Sequence, residues 1–121
     1  MKRLFILIFL LASITSAGAT SFEQITVATS AIGFTSATIT PGAETADYAY
    51  CRVETAQIRY TYNGTTPTTT VGTLLETGDI VCLDDASDIK AFRAIRTGST
   101  SGQLNCHYEF YTGKLCDGGK K

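Results

Sequence analysis

The chain has no tryptophan, a single histidine, two prolines and one methionine, which is the initiator. Without tryptophan it lacks the commonest aromatic platform for sugars. With one histidine and no C-x-x-C pair it is poorly supplied for zinc, because structural zinc sites draw on four closely spaced Cys and His ligands. No block of Lys and Arg occurs in the sequence. Such a block would be needed to neutralise phosphates, so a nucleic-acid partner is not expected. The acidic run Asp84-Asp85-Ala86-Ser87-Asp88 lacks the D-x-D-x-D-G spacing of a calcium loop and reads as a turn between two elements.

One apolar run stands out, Leu4 through Ala12, preceded by Lys2 and Arg3 and followed by Ala17-Gly18-Ala19. It is shorter than the ~20 residues a membrane span requires. A basic start, an apolar centre and an A-x-A site define a secretory leader, with cleavage expected after Ala19. The expected organisation is a signal peptide over 1–19, one domain over 20–112 and a C-terminal tail over 113–121. No membrane span is expected after cleavage. Residues 20–121 carry eight Lys and Arg against eleven Asp and Glu, a net charge of −3. That balance gives no electrostatic hold on an anionic lipid surface.

What the chain does have is short strand-like stretches, most of them alternating, with Asp79–Asp84 continuously apolar between acidic ends and Val71–Glu76 a short strand or extended segment. Gln24–Thr29, Phe34–Thr40, Asp47–Thr55, Gln57–Tyr62, Val71–Glu76, Asp79–Asp84 and Gln103–Tyr111 are short, rich in Thr, Tyr and β-branched residues, and separated by Gly, Pro and Asn. Asp88–Thr97 has a mixed phase. Alone it fits a helix; its neighbours and the Gly98-Ser99 break favour a bulged strand. The expectation is all-β: an immunoglobulin-like antiparallel β-sandwich of about seven to eight short strands. Asn63-Gly64 supplies residues that tolerate positive φ, and Pro67, without an N–H, keeps the following Thr-rich segment out of a central strand. Asn63-Gly64-Thr65 also matches the glycosylation pattern, although turn geometry accounts for it.

Four cysteines, Cys51, Cys82, Cys106 and Cys116, all follow the leader. An even count in a secreted domain of this size implies disulfides, and three pairings are open. His107 falls on the polar face of the last expected strand while Cys106 points the other way, so no Cys–His pair forms and no catalytic residue is expected. Six tyrosines are many for this length. Tyr48, Tyr50 and Tyr111 are the candidate aromatics of a binding face, for a protein, cell-surface or glycan partner. No cofactor is expected, and the sequence is silent on oligomeric state.

The stretch Ile58-Arg59-Tyr60-Thr61-Tyr62-Asn63-Gly64-Thr65-Thr66-Pro67-Thr68 resembles the hairpin of chitobiase C-terminal, fibronectin-III-like domains, and Ile89-Lys90-Ala91 resembles a later strand of that family. Such domains are accessory modules with no catalytic residues to transfer. Glu54–Tyr108 is similar to small virion-associated proteins of tailed bacteriophages and prophages. The likeness rests on Glu54-Thr55-Ala56-Gln57-Ile58-Arg59, Val71-Gly72-Thr73-Leu74-Leu75-Glu76-Thr77-Gly78-Asp79, Phe92-Arg93-Ala94-Ile95-Arg96-Thr97-Gly98 and Leu104-Asn105-Cys106-His107-Tyr108. It implies a single immunoglobulin-like decoration or fibre-associated protein. The leader departs from that pattern and, with the cysteines, implies a relative reused outside the cytoplasm. Cys51 and Cys106 share the apolar side of their strands, where an inter-sheet bridge of the immunoglobulin kind would lie. This favours Cys51–Cys106, leaving Cys82–Cys116 to tie down the tail.

Overall fold

Alternation decides which side of each strand is buried. Ala49, Cys51 and Val53 on one strand, and Leu104, Cys106 and Tyr108 on another, are all buried, while the residues between them face outward or lie half-buried. The computed structural model describes residues 20–110 and Cys116. Its strands are β1 (Thr20–Val27), β2 (Tyr48–Glu54), β3 (Ile58–Thr61), β4 (Thr73–Leu75), β5 (Ile80–Leu83), β6 (Arg93–Arg96) and β7 (Gly102–Glu109). Two short helices interrupt them, α1 (Ser36–Ile39) and α2 (Ala86–Ala91). The strands form an all-β sandwich of two antiparallel sheets, one ordered β1-β7-β2-β5 and the other β4-β3-β6. The expected signal peptide and nearly all of the expected tail lie outside the described residues.

The pairings β2–β5 and β3–β6 are those of an immunoglobulin-type sandwich, but β7 lies between β1 and β2 rather than beside β6. This corrects the expected nature of one bridge. Cys51 and Cys106 are indeed bonded, yet they are direct cross-strand partners on neighbouring strands of one sheet, with Cα atoms 4.1 Å apart. The bridge staples a sheet to itself and does not join the two layers. Cys82 on β5 is bonded to Cys116, 34 residues along the chain.

Phe34–Thr40 is not a strand. Phe34 and Ile39 are five residues apart, so a strand would send them to opposite faces, yet both are buried. One helical turn, closed by Ile39 N–H to Thr35 O at 3.1 Å and Thr40 N–H to Ser36 O at 2.9 Å, brings both to the core. Asp88–Thr97 likewise divides. The Asp85 carboxylate caps α2 by accepting from the Ser87 N–H at 2.8 Å. Ile89 and Phe92, three apart, then share the buried side before the chain straightens into β6.

Aromatic rings carry the contact between the layers. Phe34 and Phe92 stack with centroids 4.2 Å apart and planes within 2°. Tyr60 of β3 packs on Phe92 at 5.7 Å, and Tyr108 of β7 meets Phe34 edge-on at 5.2 Å. Each such pair adds ~0.5–1.5 kcal/mol beyond its burial. Elsewhere the layers close on a glycine: a Cβ on Gly102 would lie 2.5 Å from Ile58 Cγ2 and 2.9 Å from the Ala56 carbonyl. After β1 the chain crosses to the smaller sheet, where Ile32 and Ala94 exchange hydrogen bonds of 2.9 and 2.8 Å and so cover the edge of β6.

Candidate functional site

The outer face of the four-stranded sheet presents a row of rings. Phe22 on β1 and Tyr50 on β2 both stand opposite His107 on β7, and Tyr50 is in turn opposite Cys82 on β5. Phe22 is 55% exposed, His107 is exposed and Tyr50 half-buried, and the Phe22 and His107 rings lie 4.9 Å apart. On one side of this row the next two outward-facing rungs are polar. Gln24 Nε2 donates to Asn105 Oδ1 at 3.0 Å, with Arg52 next in register, and Gln103 Nε2 donates to Thr26 Oγ1 at 3.1 Å, with Glu54 beyond. The result is a flat surface of rings and amides. Alternation placed Tyr50 and His107 on it. Phe22 precedes the stretch expected to be a strand, and only the longer reach of β1 reveals it.

Tyr48 shares this face but does not offer its ring to a ligand. It is 8% exposed, and its hydroxyl lies 3.3 Å from Cys82 Sγ. That sulfur is in a disulfide and has no hydrogen, so the hydroxyl is the donor. Burial, then the nearby Glu109 carboxylate and Tyr50, push the Tyr48 hydroxyl above the usual phenol range. Tyr111 lies outside the described residues.

The hairpin residues act on the backbone. The Thr65 N–H donates to Asn63 Oδ1 at 3.1 Å, Gly64 has φ +85°, and Pro67 is buried. Arg59 holds the loop, donating from Nε to the Thr69 carbonyl at 3.1 Å and from Nη1 to the Gly72 carbonyl at 2.8 Å. A recess of about 380 Å³ beside it is lined in part by Tyr62 and Val71, both exposed.

Tyr108 and Asp85 have structural partners, whereas Glu109 Oε2 is buried without one among the described residues. Tyr108 is fully buried and donates to Glu23 Oε1 at 2.6 Å; burial first, then the hydrogen bond and charge of Glu23, raise its hydroxyl far above the phenol range. The same Glu23 oxygen accepts from the Thr35 N–H at 3.1 Å, tying α1 to β1. Burial and Tyr62 push Tyr60 up. Hydrogen bonds from the Ser87 hydroxyl and N–H hold Asp85 below the usual carboxylate range, whereas burial and then Asp85 and Asp84 raise Asp88. Cys106 is in a disulfide on the side opposite His107, so the two do not form a nucleophile and base. Among the described residues no group of three or more His, Cys, Asp and Glu is placed to hold a metal ion. Among them, too, no helix is long and apolar enough to cross a membrane. The two disulfides suit an oxidising, extracytoplasmic compartment.

No family model, curated protein or solved structure matches the chain.

Proposed function

We propose that this chain is a non-enzymatic, exported interaction domain related to the virion proteins of tailed phages, of the decoration or fibre-associated kind, and that it docks through the outer face of its four-stranded sheet. The observation that carries this reading is the rung Phe22–His107–Tyr50, which sets an exposed large apolar ring on a broad flat face. Small-molecule sites are concave; flat faces with aromatic anchors suit macromolecular partners. The likeness of Glu54–Tyr108 to phage proteins supplies the class of assembly, and the leader with two disulfides supports export.

A second reading, a secreted carbohydrate-binding accessory module, is favoured by the Gln24–Asn105 amide rung next to the rings, since stacked rings beside hydrogen-bonding amides can hold a sugar. One experiment separates the two. The oxidised protein is sedimented with tailed-phage particles and with bacterial cells, and in parallel applied to a glycan array. The first reading predicts co-sedimentation that is lost in Phe22→Ser and Tyr50→Ser variants, with a silent array. Selective glycan binding lost in the same variants would establish the second. Co-sedimentation indifferent to both changes would refute the assignment to this face.

A further inference from the structure

A second surface, on a different side of the fold and independent of the docking face, has the form of a ligand site. Between the segment 31–40 and the end of α2 lies a cleft of about 600 Å³. That falls within the ~300–1,000 Å³ of small-molecule sites. Phe34 and Ile39, both buried, line its depth, and Ile32 is 40% exposed beside them. Ser36 and Thr40 add hydroxyls. Among the described residues, the charged ones lining it are Lys90 and Arg93, and no carboxylate joins them. In a chain whose residues 20–121 are net acidic, this is a local excess of positive charge against an apolar wall.

Arg93 is held in place by the backbone. Its Nη1 donates to the Phe92 carbonyl at 2.6 Å and to the Lys90 carbonyl at 3.2 Å. Gly33 makes room for it: a Cβ at that position would lie 2.5 Å from Nη1 and 2.9 Å from the Phe92 carbonyl. A guanidinium carries about five N–H donors in a rigid fork matched to a carboxylate. Only Nη1 is engaged among the described residues, which leaves Nε and Nη2 to receive a ligand. Fixing the group beforehand lowers the entropic cost of binding.

We propose that this cleft binds a small amphiphilic monocarboxylate, such as a medium-chain acyl carboxylate, with the carboxylate on Arg93 and Lys90 and the apolar body against Ile32, Phe34 and Ile39. The charge selects an anion, and the wall selects an anion with an apolar tail over inorganic phosphate. The test is titration of the oxidised, isotopically labelled protein with octanoate, followed by amide chemical shifts. Saturable shifts are expected at Gly33, Ser36, Lys90 and Arg93. Arg93→Gln and Lys90→Gln should each weaken binding about tenfold, the factor of one lost charge-assisted hydrogen bond. Gly33→Ala, which keeps both charges but displaces the guanidinium, should weaken it as well. Octanol and acetate, each with half of the recognition, should bind at least about tenfold more weakly. Octanol matching octanoate, inorganic phosphate matching octanoate, shifts confined to the outer face around Phe22, or full affinity in both the Arg93→Gln and Lys90→Gln proteins would each overturn the proposal.

Discussion

The two sheets are held together by different means. The four-stranded sheet carries three of the four bonded cysteines: Cys51 and Cys106 face each other on β2 and β7, and Cys82 lies on β5. The three-stranded sheet has no cysteine. Its position depends on Tyr60 stacking on Phe92, on Ile58 meeting Gly102, and on the Arg59 guanidinium binding two loop carbonyls. On the outer face of the four-stranded sheet Phe22 and His107 are exposed and Tyr50 half-buried, while Tyr48 is buried beside Cys82. The smaller sheet has strands of three and four residues and can leave less of itself unengaged.

That contrast can be broken from either side. The largest effect is expected at the non-covalent joint between the layers. Phe92→Ala removes the ring shared by Phe34 and Tyr60 and should cost ~3–5 kcal/mol in urea unfolding at constant pH. Replacing Cys51 and Cys106 together by Ala should cost ~2–4 kcal/mol while leaving the sheet order intact, because that bridge closes a long loop but does not join the layers. The second bridge should differ from the first in access rather than in strength. Cys82 and Cys116 are half-buried, whereas Cys51 and Cys106 are fully buried. Limited reductant followed by alkylation and mass spectrometry should therefore label Cys82 and Cys116 first, with Cys51 and Cys106 labelled only on unfolding.

A smaller effect is expected at Tyr108. Tyr108→Phe leaves Glu23 without that donor and should cost ~1–2 kcal/mol near neutral pH. Tyr108, Tyr60 and Tyr48 all have hydroxyls raised above their ordinary value of about 10. Unfolding then releases phenols that ionise more readily than in the fold. Stability should be fully present below about pH 10 and fall as pH rises beyond it. Tyr108→Phe should flatten that alkaline decline in denaturation curves taken near pH 7 and near pH 11.

Much of the sandwich was legible because strands announce themselves by a period of two. β2, β3 and β7 fall within one or two residues of alternating stretches, β5 within one residue of the continuous apolar run Asp79–Asp84, and Asn63-Gly64 marks its turn through backbone geometry alone. What was not legible depends on long-range packing. α1 is too short to show a period, and only the joint burial of Phe34 and Ile39 reveals it; Asp88–Thr97 taken alone fits a helix, but its neighbours favour a strand, and the shared burial of Ile89 and Phe92 shows where α2 gives way to β6. The place of β7 between β1 and β2 is a choice of neighbours that alternation does not encode, which is why the Cys51–Cys106 pair was expected to link sheets and instead spans adjacent strands. Alternation also assigns a face without assigning exposure: Tyr48 and Tyr50 share the outer face, yet Tyr48 is buried beside Cys82. The Lys90–Arg93 cleft joins residues more than fifty positions apart and has no local signature at all.

The topology of the braced sheet is the central claim, and one spectrum tests it. If β7 lies beside β2 with Cys51 opposite Cys106, their Cα atoms are 4.1 Å apart and the two Hα protons face each other across the strands. A nuclear Overhauser spectrum of the oxidised protein should then show a strong Hα–Hα contact between Cys51 and Cys106, with a matching one between Val53 and Leu104 or Ala49 and Tyr108. Absence of these contacts, with β7 instead showing backbone contacts to β6, would place the bridge between the layers and contradict the account.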